Sequence, residues 1–258
     1  MTSSSYLLGE DLTEELARLE AQAALSWPEE FRVLTELGLR DGHAVLDAGC
    51  GSGAFTRRLR AALPASPMIA VDADERLLSR VPRPLAVLGD LADPPVADAS
   101  QDAVISRFVF QHLPDPVAIA ARLRRVLRPG GLLAVIEVDA GLWGAAVPDM
   151  PQGYAEAYQA MAAEQGGGGG DRFIARRLPA LLEAAGYRDV LVRPYAYGGR
   201  VSDSEAVAAQ VGPERLRPLV ERGALSLAAF ARAYAAWELF RRRGGRVLLL
   251  GFVISGRV

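Results

Sequence analysis

Three glycines, five acids and one histidine carry the chemistry visible in this sequence. Val45-Leu46-Asp47-Ala48-Gly49-Cys50-Gly51-Ser52-Gly53 runs from an apolar segment through an acid into glycines at alternate positions. Glycine takes φ > 0 without steric cost and lets a ligand lie against bare backbone. A helical pattern begins at Ala54, and the first N–H groups of a helix have no partners within it. The turn therefore suits a nucleotide-like cofactor. Asp72 ends the next apolar run and Asp90 follows Gly89. His112, Glu137 and Asp139 stand where two later apolar runs end.

Two cofactor classes compete for this turn. Gly49-Cys50-Gly51-Ser52-Gly53-Ala54 satisfies the G-x-G-x-x-A form of the dinucleotide fingerprint. Asp72 also stands at about the ~20-residue distance expected of the ribose-binding acid. A diphosphate, however, gains little from a carboxylate beside it. The acid inside the first strand and the third glycine at Gly53 fit S-adenosylmethionine (SAM) better. SAM has no phosphate, and it carries both an ammonium and a sulfonium. Asp47 suits that charge, directly or through water.

These residues need a scaffold, and the hydrophobic pattern supplies one. Strands are expected at 43–48, 68–72, 85–88, 102–109 and 132–138, alternating with helices at 54–63, 74–80 and 115–127. Such alternation predicts an α/β fold, with a parallel sheet covered by helices on both faces. Upstream, the spacing predicts two helices, 11–25 and then 28–37 with Pro28 at a first-turn position. Residues 1–40 thus read as N-terminal lid helices and 41–258 as the core. A helix over 173–185, capped by Gly186, and strands at 190–197 and 247–255 complete the core. Cap insertions are expected at about 141–172 and 200–243. Five consecutive glycines, Gly166–Gly170, read as a connector or as a lid hinge.

Composition excludes several classes. Half of the 258 residues are hydrophobic and the net charge is −2, so no electrostatic footprint for a nucleic-acid partner is present. Every basic residue apart from histidine is arginine, which excludes a catalytic lysine. Cys50 is the single cysteine and reads as a small packing residue; neither a disulfide framework nor a metal site is expected. Residues 1–11 show no charged-then-apolar leader pattern, and 247–255 is too short to span a bilayer. A cytoplasmic protein without a membrane partner is expected, monomer or homodimer.

From about Leu8 to Val138 the chain resembles a class I SAM-dependent methyltransferase. The resemblance rests on Asp47-Ala48-Gly49-Cys50-Gly51-Ser52-Gly53, Val71-Asp72-Ala73-Asp74, Gly89-Asp90-Leu91, Ser106 to Leu113, and Arg125-Val126-Leu127-Arg128-Pro129-Gly130-Gly131. It implies a Rossmann-like seven-stranded sheet in the order 3-2-1-4-5-7-6, with the last strand antiparallel and helical lid or cap insertions. It implies SAM as cofactor, with S-adenosylhomocysteine as product. Cofactor contacts would come from Asp47, Gly49, Cys50, Gly51, Asp72 (ribose hydroxyls), Ala73, Asp90 (adenine amino group), Leu91 (adenine ring), Arg107 and His112. Tyr6-Leu7-Leu8-Gly9 and Arg18 to Gln22 resemble the lid of bacterial enzymes that often modify specialised metabolites. Tyr6 and Gln22 would there reach the SAM carboxylate or close over the cofactor.

The expected reaction moves a methyl group to a small-molecule acceptor, most readily at oxygen, as in natural product biosynthesis. His112 is a candidate general base, because an ordinary imidazole accepts a proton near neutrality. It is equally a candidate for shaping the cofactor pocket. Glu137 and Asp139 are the other catalytic candidates, or else cap a loop. Trp143, Tyr154 and Tyr158 in the first insertion and Phe230, Tyr234, Trp237 and Phe240 in the second read as core packing or as an apolar acceptor pocket. Two alternatives stay open: a SAM-binding protein that catalyses a cyclisation or rearrangement, and a nucleic-acid methyltransferase. Against the latter, Asp93-Pro94-Pro95-Val96 precedes the fourth strand and lacks the aromatic residue of the base-stacking motif it resembles.

Overall fold

Apolar residues alternate along the central strands and sort into two cores. Val45, Ala103 and Leu132 enter one cluster, whereas their neighbours Leu46, Val104 and Leu133 enter the other. A side-chain period of two requires this of a sheet buried on both faces. A computed structural model of the chain describes residues 12–83, 85–142, 144–149, 152–167, 169–201 and 205–258. Its strands are β1 Val45–Ala48, β2 Met68–Asp72, β3 Ala86–Leu88, β4 Gln101–Arg107, β5 Leu127–Glu137, β6 Gly144–Val147, β7 Arg188–Arg200 and β8 Arg246–Arg257.

β3, β2, β1, β4 and β5 lie side by side and parallel. β8 then runs antiparallel to β5, from Leu132↔Arg257 to Glu137↔Phe252. β7 follows the opposite flank of β8 along its length. The expected order 3-2-1-4-5-7-6 is therefore present, β7 and β8 being its sixth and seventh strands. The first insertion adds β6, which pairs with Leu249–Arg246 of β8 on the β5 side and prolongs the line of β5.

The helices are α1 Leu12–Glu36, α2 Ala54–Ala62, α3 Glu75–Leu78, α4 Pro116–Val126, α5 Gln152–Gly167, α6 Leu178–Ala184, α7 Glu205–Val211, α8 Arg217–Glu221 and α9 Leu227–Arg242. α1, α2 and the cap helices pack on one face, while α4 and α6 pack on the other. Two expectations are corrected. Pro28 does not separate two helices: α1 is continuous through it. Proline removes one intrahelical hydrogen bond, but Ala23, Ser26, Glu30, Val33 and Leu34 form a buried stripe across both halves, and packing overrides the break. The segment expected as one helix over 173–185 is a 3-10 turn, Ile174–Arg176, followed by α6. The glycine run is also not wholly a connector, because Gly166 and Gly167 form the end of α5.

The insertions build core. Tyr154 of α5 stacks on Trp237 of α9 at 5.6 Å, and Trp237 meets Phe240 at 5.9 Å; all three are buried. The packing reading of these aromatics holds, whereas Tyr234 is largely exposed. Trp143 and the side chain of Tyr158 lie outside the described residues. Among the described residues, no helix is long and apolar enough to cross a membrane.

Candidate active site

The turn after β1 is pinned to its neighbours through backbone. Gly49, Gly51 and Gly53 take φ of 81°, 54° and 74°. Gly49 N and Cys50 N donate to Val71 O at 2.8 and 3.0 Å. Gly51 N donates to Asp72 Oδ2 at 2.7 Å, and Asp72 Oδ1 accepts from Asp74 N at 2.9 Å. Gly89 N donates to Asp72 O at 3.0 Å, which joins the end of β3 to the same cluster. On the other side, a Cβ at Gly49 would stand 2.3 Å from Val109 Cγ2. Glycine at 49 thus lets the turns after β1 and β4 touch, at the point where strand order reverses and open α/β sheets bind ligands.

The turn carries excess negative charge in a desolvated setting. Asp47 is almost fully buried on the α2 side of β1, and Thr56 Oγ1 donates to its Oδ2 at 2.6 Å. Burial pushes the Asp47 carboxyl up to about 7; the Thr56 hydrogen bond opposes this, the Asp72 charge adds to it, and Arg107 offsets part. Asp72 is also raised, again chiefly by burial, against the backbone donors of Asp74 and Gly51. Burial first, then Asp47 and Asp72, push the Cys50 thiol upward. A buried thiol held up in this way is a poor nucleophile, in keeping with a packing role for Cys50. Two carboxylates short of compensation fit a cationic ligand and oppose a diphosphate.

The remaining cofactor candidates divide. Asp90 Oδ1 accepts from Ala92 N at 2.9 Å. Leu91 is buried among Val71, Val104 and Phe110, and Ala73 is exposed. Pro95 packs over Gly89, where a Cβ would lie 2.5 Å from its ring, so the Asp-Pro-Pro segment serves this loop. Gln22 is buried on α1, and Tyr6 lies outside the described residues. Arg107 is anchored to α1, and its charge still acts on Asp47 at the cofactor turn. Its Nε donates to Glu30 Oε2 at 2.9 Å and its Nη2 to Ser26 Oγ at 3.0 Å. Strand alternation turns Arg107 to the same face as Ile105, where α1 lies.

A methyltransferase-domain family model matches residues 46–135. The trans-aconitate 2-methyltransferase of Methylobacterium radiotolerans is 30% identical over 239 residues, spanning 84% of this chain and 86% of that protein. The chain belongs to the class I SAM-dependent methyltransferases. The malonyl-[acyl-carrier protein] O-methyltransferase of Hahella chejuensis is 37% identical over 95 residues, 34% of each chain. The chain spans 42% of a further curated relative, an uncharacterised transposon protein of Streptomyces fradiae. Among solved structures, a SAM-dependent methyltransferase of Thermotoga maritima shares the fold, with TM-score 0.57, 16% identity and coverage of 95% of this chain and 96% of that one.

In this methyltransferase the three catalytic candidates meet different fates. Glu137 is buried, and Gln111 donates to it twice, from N at 3.1 Å and from Nε2 at 3.0 Å. Burial pushes its carboxyl up to about 8 against those donors. Asp139 is clasped by Arg176, Nε to Oδ2 at 2.6 Å and Nη2 to Oδ1 at 2.5 Å, and accepts from Gly141 N at 2.8 Å. Both acids hold the loops after β4 and β5, which is the loop-capping alternative. His112 ends the 3-10 turn Phe110–His112. Burial first, then the Arg172 and Arg18 charges, hold its imidazole down to about 4, so it stays neutral at physiological pH and is a weak base.

Arg172 carried no motif, and Arg18 stood only at the start of the lid-like segment Arg18 to Gln22. Arg172 is placed by backbone: Ala140 N donates to its carbonyl at 2.8 Å, and Asp171 N donates to Gln111 O at 2.7 Å. α1 brings Arg18, and Glu20 two residues on bridges Arg57 and Arg58 of α2 at 2.7 Å each. A basic residue between a glycine run and a 3-10 turn offers no spacing that would have singled it out.

Proposed function

We propose that the enzyme transfers the methyl group of SAM to an oxygen of a small metabolite bearing a carboxylate, and that the carboxylate itself is the acceptor. When bound, SAM supplies an electrophilic methyl on a cationic sulfur. In this reading the Gly49–Gly51 backbone receives its amino-acid end, with Asp47 beneath as counter-charge. Asp72 accepts from the ribose hydroxyls beside Ala73, Asp90 takes the adenine amino group, and Leu91 packs on the ring. Tyr6 and Gln22 belong to the cover.

The observation that carries the acceptor assignment is that the charges of Arg172 and Arg18 act on His112, with Arg172 held by backbone bonds beside the loops after β4 and β5. Arg18 is paired with Glu15 at 2.6 Å, so the potential that attracts an anion and repels an amine is assigned chiefly to Arg172. A carboxylate acceptor is already ionised at neutral pH and needs no base to release its oxygen. That agrees with a His112 too weakly basic to deprotonate an alcohol and with Glu137 and Asp139 committed to loop contacts. The name trans-aconitate 2-methyltransferase, borne by the relative that covers most of this chain, points to a polycarboxylic acid.

The test is a panel of di- and tricarboxylic acids, phenols, alcohols and amines incubated with labelled SAM. Methyl transfer to acids, giving a product that mild alkali cleaves as an ester, is expected. Arg172→Gln should raise the acid KM by about tenfold or more, the loss of one charge-assisted pair. Turnover confined to phenols or amines would overturn the assignment.

A further inference from the structure

Arg107, Glu30, Tyr195 and Ser26 form a buried polar knot where α1, β4 and β7 meet. Glu30 and the Arg107 side chain are 0% and 8% exposed. Arg107 Nε lies 2.9 Å from Glu30 Oε2, and Tyr195 donates its hydroxyl to Glu30 Oε1 at 2.9 Å. Burial and the Glu30 charge push the Tyr195 phenol upward, so it remains a donor. β8 makes room for this arrangement. Tyr195 pairs with Gly251, where a Cβ would stand 2.2 Å from the tyrosine Cζ. A glycine in an otherwise apolar strand thus lets the ring lie across β8 and reach α1.

From this knot a contiguous path leads to the donor turn. The Arg107 guanidinium sits 4.2 Å over the ring of Phe108, the next residue. Phe108 takes φ 58°, a left-handed conformation that non-glycine residues seldom adopt, and its N donates to Ile136 O at 2.8 Å. That turn directs Val109 onto Gly49, at the distance that forbids any side chain there. The ion pair cannot slacken cheaply, because a buried charge without its partner is strongly disfavoured.

We infer that Glu30 and Tyr195 are positioning residues for methyl-donor binding, holding Arg107 so that the Phe108–Val109 turn presses on Gly49 and fixes the cofactor turn. Neither touches SAM; each acts through Arg107. The inference rests on the SAM site alone and stands whatever the acceptor proves to be.

Tyr195→Phe is the variant of choice, because the ring stays over Gly251 and only the hydroxyl is lost. Calorimetric titration with S-adenosylhomocysteine should show a three- to tenfold rise in Kd, with kcat at saturating SAM within twofold of the parent and KM for SAM raised in step. Val109→Ala removes the far end of the path, and in that background Tyr195→Phe should have no further effect on Kd. An unchanged Kd in Tyr195→Phe would overturn the inference, as would independent, multiplying losses in the double variant. A drop in Tm alone, with binding intact, would reduce the knot to a structural clamp and equally overturn it.

Discussion

If Asp47 supplies the counter-charge for the donor, SAM binding must depend on pH in a way the apoprotein already sets. The Asp47 carboxyl stands at about 7 instead of the ordinary 3.8, driven first by burial. A cation bound beside it favours the ionised form, so binding expels a proton whenever Asp47 holds one. The apparent Kd then scales as one plus the ratio of protonated to ionised carboxyl: about twofold weaker at pH 7 and roughly tenfold weaker at pH 6 than at alkaline pH. The folded protein also keeps a proton that the unfolded chain releases near 4. Stability of the unliganded enzyme therefore falls as pH rises from about 4 to 7 and levels off above, a loss on the order of 4 kcal/mol at 1.36 kcal/mol per unit.

Asp47→Asn isolates the effect, because its amide oxygen still accepts from Thr56. Titration calorimetry with SAM between pH 6 and 8, in buffers of differing ionisation heat, yields both affinity and protons released. The parent enzyme should release about half a proton at pH 7 and more at pH 6. Asp47→Asn should lose that component, and its unliganded form should melt several degrees higher at pH 8. Subtracting the variant also removes contributions from Glu137, raised to about 8, and from the ligand's own amine. Parallel pH profiles in parent and variant would refute the reasoning.

Three further expectations follow from the same geometry. Asp72→Ala removes the proposed ribose acceptor and the partner of Gly51 N, so SAM affinity should fall about a hundredfold, with the fold intact by circular dichroism; unchanged affinity would move the ribose contact elsewhere. His112→Gln should reduce kcat less than about tenfold and leave the pH–rate profile in place, since the imidazole is neutral across the working range; loss of an ionisation with a hundredfold drop would restore it as the base. Gly49→Ala combines a left-handed φ with a clash on Val109, so unfolding titrations should show about 2–5 kcal/mol lost and SAM binding abolished. A variant as stable as the parent would mean that the two turns can part.

What could be read from the sequence was local. The strand–turn–helix around Asp47, the acid ending β2 and the helix starts near Asp74 and Asp115 depend on neighbours a few residues away, and residue type with spacing revealed them. Pro28 misled because a local rule met a stronger tertiary one: the buried stripe of α1 extends through it. Arg107 shows a related dependence on distant residues. Its place at the end of β4 was legible, but which of two faces it chose depended on Glu30, which lies 77 positions away. His112 was legible as a histidine near the chemistry; its basicity was not, because it depends first on burial and then on Arg172 and Arg18, which lie far from it in sequence. Tyr195 lies 165 positions from Glu30, and Gly251 alone hints at it, a missing side chain in a strand that has no turn to make. A glycine inside an apolar strand marks a place where something large must lie across the sheet. In this fold it marks the tyrosine that ties the edge strand to α1.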